Sequence, residues 1–166
     1  VIDPTTGSNT LSIPGLSLGS YHIAIRHRNH LGVITANSVL LLSNNPTLVD
    51  FGANTTPAVG TYGRFLSGGK ALLWAGDANS SDRVIANGPD NDSTVVLGTV
   101  LLSPTNASLS ANHIKPAYDP SDLNMDGEII FAGPDNDLNV LVGNVLLHPD
   151  NGTLSANYLL NGSLPR

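Results

Sequence analysis

The chain has 166 residues, 40% of them hydrophobic and only 12% charged, with a net charge of -6 and no cysteine. Seven Lys and Arg in total cannot make the basic footprint that phosphate binding needs, which excludes a nucleic-acid partner. The hydrophobic content excludes a disordered chain, and apolar runs such as "SVLLLS" and "GTVLLS" are far too short for a transmembrane segment. Abundant Asn, Ser, Thr, Gly and Pro favour short strands joined by many turns. Without disulfides, a secreted protein needs another staple, and bound metal is one. No signal peptide is present, so Val1 either follows processing or marks where the given stretch begins.

Residues 1–20, "VIDPTTGSNTLSIPGLSLGS", have little to bury locally. They read as a linker, or as an N-terminal arm donated to a neighbouring subunit's sheet, with "LSIPGLSLGS" as an edge strand broken by Pro14. Residues 21–73 carry a β signature. "YHIAIRHR" alternates, with Tyr21, Ile23 and Ile25 on one face. "NHLG" reads as a turn, "VITANSVLLL" as a second strand and "TLVDF" as a third, which predicts a small antiparallel β-sandwich. The cluster of His22, Arg26, His27, Arg28 and His30 admits two readings. One is a metal or anion site; the other, favoured because a hairpin needs such turn residues, is a solvated strand end. No catalytic constellation can be argued, so a non-enzyme is expected.

Residues 74–166 contain a repeat. "GDANSSDRVIANGPDNDSTVVLGTVLLSPTNASLSAN" (76–112) aligns without gaps to "SDLNMDGEIIFAGPDNDLNVLVGNVLLHPDNGTLSAN" (121–157) at an offset of 45. Each copy reads as loop, short strand, acidic turn and helix. Val96, Leu97, Val100 and Leu101 fall at helical spacing in the first copy, and Leu138, Leu141, Val142, Val145 and Leu146 in the second. Asp92 and Asp137 are the expected N-caps, with Pro104 and Pro149 at the exits. Val84-Ile85 and Ile129-Ile130 are expected to bridge the copies. The expected class is thus mainly β with short helices: a β-sandwich followed by a pair of calcium-loop and helix repeats.

Nine of the thirteen acids lie in 77–92 and 122–137. Carboxylates gathered so closely repel one another unless a cation neutralises them. Calcium takes six to eight oxygens, which alternate residues of a tight loop supply. The second loop offers Asp122, Asn124, Asp126 and the Glu128 carbonyl, with Gly127 at the sharp turn. The first offers Asp77, Asn79, Ser81 and the Arg83 carbonyl, with Asp82 in the glycine position. Glycine stands twelfth in both, so the closing acid is a later aspartate: Asp90 or Asp92, and Asp135 or Asp137. The anionic groups at a helix start, Asp92 and Asp137, are slightly favoured. Two Ca2+ sites are expected, and zinc is not, since the loops lack His and Cys.

The segments "LLWAGDANSSDRVIANGPDND" and "YDPSDLNMDGEIIFAGPDND" resemble tandem calcium-loop repeats of large secreted and surface proteins of Bacteroidetes, and more loosely the dockerin repeat. "YHIAIRHRNHLGVITA" resembles the stretch preceding those repeats. The resemblance implies calcium and an extracellular or cell-surface, non-catalytic location. The chain departs from dockerin in its displaced closing acid and in Ser81-Asp82 where Asp-Gly is usual. Sequons place glycosylation candidates at Asn54, Asn91, Asn106, Asn151 and Asn161, with Asn79 a poor acceptor as a proposed ligand; "DST" adds Ser93 as an O-linked candidate. Asn106 and Asn151 are expected to be exposed. The resulting expectation is a calcium-stabilised, glycosylated structural module that self-associates through strand addition into a surface fibre or forms part of an adhesin. The alternative is a carbohydrate- or protein-binding accessory module of a secreted enzyme.

Overall fold

The computed structural model describes residues 6–43 and 45–165; residues 1–5 of the expected arm lie outside the described residues. The chain is mainly β, in short antiparallel pairs, with two short helices. β1 (Gly19–Tyr21) pairs with β4 (Val39–Leu41), and β2 (Ala24–His27) with β3 (His30–Ile34). β5 (Phe65–Ser67) pairs with β6 (Lys70–Leu72) across Gly68 and Gly69, whose φ of 57° and 77° suit a tight hairpin turn of right-handed twist. Every sheet among the described residues has two strands.

Several local expectations shift. "TLVDF" (47–51) forms no strand. The hairpin turn falls on Arg28 and Asn29, and His30 already belongs to β3. No helix among the described residues is long and apolar enough to cross a membrane.

Helix α1 spans Asp92–Leu101 and α2 spans Asp137–Leu147. Their N-caps are Asn91 and Asn136, not the aspartates that follow. The Asn91 side chain accepts from Thr94 N at 2.8 Å, and that of Asn136 from Asn139 N at 3.0 Å. An uncharged amide satisfies the free helical N–H, which leaves Asp92 and Asp137 to turn inward. Val96 and Val100 of α1, and Leu141 and Val145 of α2, are buried at i, i+4 spacing. They join Leu31, Trp74, Val84, Leu123, Ile129 and Leu160 in one core. The hairpin residue Leu31 therefore shares that core across the boundary the sequence suggested at 73/74.

The expected bridge between the two copies is replaced by an exchange of tails. β7 (Arg83–Ile85) pairs with β10 (Leu159–Asn161), after the second copy. β9 (Glu128–Ile129) pairs with β8 (Lys115–Pro116), after the first. Val84 lies opposite Leu160 and Ile129 opposite Lys115; both members of the second pair lie 45 residues from their counterparts in a crossed sense. Pairing this way buries Val84 and Leu160 together, at 0% and 1% exposure.

Candidate metal site

In the first loop, Asp77 sits at the buried start of the turn. Its Oδ1 accepts from Ser81 N at 2.8 Å and its Oδ2 from Asp82 N at 2.9 Å, so both oxygens are used by backbone. Asn79 accepts from Ser81 N and donates to the Asp90 carbonyl at 3.1 Å. Ser81 Oγ donates to the Arg83 carbonyl at 3.4 Å. Asp92 is fully buried; it accepts from Ile85 N at 2.8 Å and Asn79 N at 3.3 Å. Burial pushes its carboxyl up to about 6, with the charge of Asp77 adding to the rise. Burial also raises Asp77.

The second loop repeats much of this arrangement, with two principal changes. Asn124 donates to Asp126 Oδ2 at 2.8 Å and to the Asp135 carbonyl at 3.0 Å. Asp126 Oδ1 accepts from Glu128 N at 2.8 Å. Asp137, fully buried, accepts from Leu123 N at 2.6 Å, Asn124 N at 3.3 Å and Ile130 N at 2.8 Å. Burial raises its carboxyl, and Asp122 contributes to the rise. Backbone conformation matches as well: φ is 54° at Asp90 and 53° at Asp135, and 58° at Ser80 and 62° at Met125.

The first change is at Asp122. It is completely buried; Oδ2 lies 3.3 Å from Arg28 Nη2, and Oδ1 has no hydrogen-bond partner. The second is at the sixth position, where Asp82 takes the place of Gly127. Asp82 holds φ of 58°, a left-handed conformation an aspartate tolerates better than most residues. Its Oδ1 accepts from Gly32 N at 2.7 Å and its carbonyl from Gly162 N at 2.9 Å. A Cβ on Gly162 would lie 1.9 Å from Asp82 Oδ1, so any larger residue there would displace the Asp82 carboxylate.

Thus Asp92 and Asp137 turn into the loops, whereas Asp90 and Asp135 are exposed and meet the loop asparagines through their carbonyls. Among the described residues, no three Asp, Glu or His side chains converge as a ready ligand set. The fit to calcium rests on the second loop's oxygen donors: a buried carboxylate oxygen with no partner, beside a second buried carboxylate, suits a hard cation.

Within "RHRNHLG", Arg28 and Asn29 dock on the two loops, while Arg26 is exposed. Arg28 Nε donates to the Asp119 carbonyl at 3.3 Å, and its guanidinium lies 5.3 Å from the Tyr118 ring centre. Asn29, fully buried, donates through Nδ2 to the Asp122 carbonyl, while its own carbonyl accepts from Gly76 N and Asp77 N. His22 stands apart, with Nδ1 donating to the Thr35 carbonyl at 2.8 Å. A cavity of about 220 Å³ opens between Arg26, His27 and His30 on one side and Asp77, Ser80 and Asp82 on the other.

Sequence reasoning read Asp82 only as a stand-in for glycine and favoured Arg28 as a solvated strand-end residue, and it missed Asn29. The available signal was charge: very few cations, two of them next to a turn. It also misplaced Asn106 and Asn151, which are 3% and 2% exposed. Asn106 Nδ2 donates to the Val100 and Ser110 carbonyls at 3.0 and 2.9 Å, and its Oδ1 accepts from Ser110 N. Asn151 does the same with Val145 and Ser155. These amides close each helix C-terminus, where unpaired carbonyls need donors. Of the other glycosylation candidates, Asn54 and Asn161 are exposed, Asn91 caps α1, and Ser93 Oγ donates to the Ala86 carbonyl.

No family model matches this chain, and no curated protein or solved structure shows significant similarity to it.

Proposed function

We propose that the chain is a non-catalytic, calcium-stabilised structural module that works outside the cell and self-associates by strand addition. The observation that carries the calcium reading is the unpartnered, fully buried Asp122 Oδ1 beside the buried Asp137. In the second loop Asp122, Asn124, Asp126 and the Glu128 carbonyl would hold the ion, and Asp137 would close the site. In the first, Asp77, Asn79, Ser81, the Arg83 carbonyl and Asp92 would do so. The ion would neutralise carboxylates that otherwise repel, and weak sites suffice at the roughly millimolar calcium found outside cells.

Support for strand addition comes from the first half. Among the described residues its ladders join strands only in twos; isolated bridges cover parts of the outer edges of β3 and β6, while the β1–β4 pair bears no such bridge on these strands. Leu11, Ile13, Leu16 and Leu18 precede β1 without pairing and are 40–64% exposed. A neighbour's segment of this kind, added to β1–β4 or β5–β6, would complete the small sandwich expected from the sequence. Asn54, Asn91, Asn161 and Ser93 stay the candidate sugar sites, readable by mass spectrometry of native material.

Two measurements test this reading. Chelation is expected to lower the melting temperature, and sedimentation is expected to show polymers that vanish when residues 6–18 are deleted. A strictly monomeric chain, unchanged by the deletion, would remove the fibre part.

A second reading, a carbohydrate-binding accessory module, draws on one observation. Phe65 and His148 pack on Trp74, and Tyr62 and Tyr158 pack on His148, with ring centres 4.8–6.0 Å apart. Tyr62 and Phe65 are exposed, and such rings can stack on a sugar. A glycan array with calcium-dependent binding, lost in Phe65→Ala, would favour it.

A further inference from the structure

The hairpin turn brings three donor atoms into a close triangle that no arrangement of protons satisfies. His27 Nδ1 lies 2.9 Å from Asn29 Oδ1, His30 Nδ1 lies 2.7 Å from the same oxygen, and the two Nδ1 atoms are 2.8 Å apart. An imidazole Nδ1 is either donor or acceptor, and an amide oxygen only accepts. If both histidines carry a proton on Nδ1, the two nitrogens face each other as donors. If one does, the other nitrogen faces Oδ1 as a second acceptor. One edge of the triangle is mismatched in every case. Turning the Asn29 amide over does not help, because Nδ2 is committed to the Asp122 carbonyl.

A metal ion resolves the triangle, because all three atoms then present lone pairs to one centre. Metal–nitrogen bonds of about 2.0–2.1 Å place donors roughly 2.8–3.0 Å apart at right angles and roughly 3.3 Å apart at tetrahedral angles. The observed edges match the right-angle case, which belongs to tetragonal or octahedral ions and not to tetrahedral zinc. The rings meet edge to face, 83° apart, so that their nitrogens converge without the rings colliding.

We propose that His27, His30 and Asn29 form a site for a divalent first-row transition ion of right-angle geometry, Cu2+ or Ni2+, separate from the calcium loops. The support is rigid. The Asn29 carbonyl is held by Gly76 N at 2.9 Å and by Asp77 N at 3.2 Å, and its side-chain amide is fixed by Asp122, the kind of outer contact that orients a ligand. The adjoining cavity of about 220 Å³ gives room for water to fill the remaining positions. Asp77 and Asp82 on its wall oppose the charge of Arg26 and Arg28, and Arg28 is itself turned toward Asp122 and Tyr118. Three ligands from residues 27–30 would also give a role to histidines on both sides of a buried asparagine.

The test is a titration of the full chain with Cu2+, and separately with Ni2+, in saturating calcium, read by calorimetry and by electron paramagnetic resonance of the copper form. One ion per chain is expected, with two imidazole nitrogens in the spectrum. His27→Ala is expected to weaken binding at least tenfold, while His22→Ala, His113→Ala and His148→Ala bind like the parent. A spectrum with one imidazole or none, or His27→Ala binding as tightly as the parent, overturns the site. The nitrogen count is read on the unaltered protein, so it decides even if a histidine variant fails to fold.

Discussion

The two acidic loops share a sequence pattern and a backbone, but they are tied into the molecule differently. In the first loop, Asp77 spends both oxygens on backbone N–H groups, and Asp82 reaches out to Gly32 and to the backbone at Gly162. In the second, glycine occupies the turn, Asp122 keeps one oxygen unpartnered, and an arginine from the hairpin approaches the other. The first loop is closed by its own neighbours. The second retains a buried negative atom that a cation can use. The departure at Asp82, which looks like decay when read as a calcium pattern, is a structural tie between the loop, β3 and the chain after β10.

The comparison breaks most visibly at the closing aspartates. Asp137→Ala strips three backbone N–H groups of their acceptor, and Asp92→Ala strips two. With roughly 1–3 kcal/mol for each buried group left unpaired, a loss of about 4 kcal/mol is expected for either, somewhat more for Asp137→Ala, read by denaturant melts. Equal stability in both variants and the parent would mean that the inward carboxylates hold nothing.

Acid titration sharpens the comparison next. The Asp92 carboxyl, at about 6 when folded against 3.8 ordinarily, contributes stability that is full below 3.8 and is lost as pH rises through 6. That amounts to about 3 kcal/mol at most in calcium-free protein. His30, pushed down to about 4 by burial and by the charges of His27 and Arg28, acts in the opposite sense: its contribution is present above 6.5 and is lost as pH falls through 4. The two offset one another in the parent. Asp77 and Asp137, also raised by burial, pull in the same direction as Asp92, so the test is the difference: Asp92→Asn should make calcium-free stability rise more, or fall less, between pH 4 and 6.5 than it does in the parent.

Calcium itself is expected to add about 2–3 kcal/mol at a hundredfold excess over the dissociation constant. Asp122→Ala should remove more of that gain than Asp77→Ala, as read from melting temperatures with and without a chelator. The smallest effect is expected for Asp82→Gly, which makes the first loop like the second. It relieves a left-handed aspartate worth about 1 kcal/mol but deprives Gly32 N of its acceptor. A net loss of about 1 kcal/mol follows, and a net gain would show that the tie to the hairpin is idle.

Much of this arrangement was legible in the sequence because it is local. Helical spacing located α1 and α2, the offset of 45 located the loops, and Gly133 and Gly88, at φ of 127° and 122°, are the hinges by which later aspartates swing inward. What was not legible depends on contacts between distant residues. Nothing near Val84 says that its partner is Leu160, and nothing near Asn106 says that its amide is folded back on α1. The hairpin was read as solvated because Arg and His next to a turn usually are, and its acceptor, Asp122, lies 94 positions away. The helix caps were missed for a chemical reason: Asn and Asp both cap well, and only burial of the following aspartate separates them.

The central claim is that these loops hold calcium, and calorimetric titration of the chelator-stripped protein tests it most directly. Two ions per chain are expected for the parent and one for Asp122→Ala, with the remaining site in the first loop. A titration that shows no heat and no gain in melting temperature would contradict the claim.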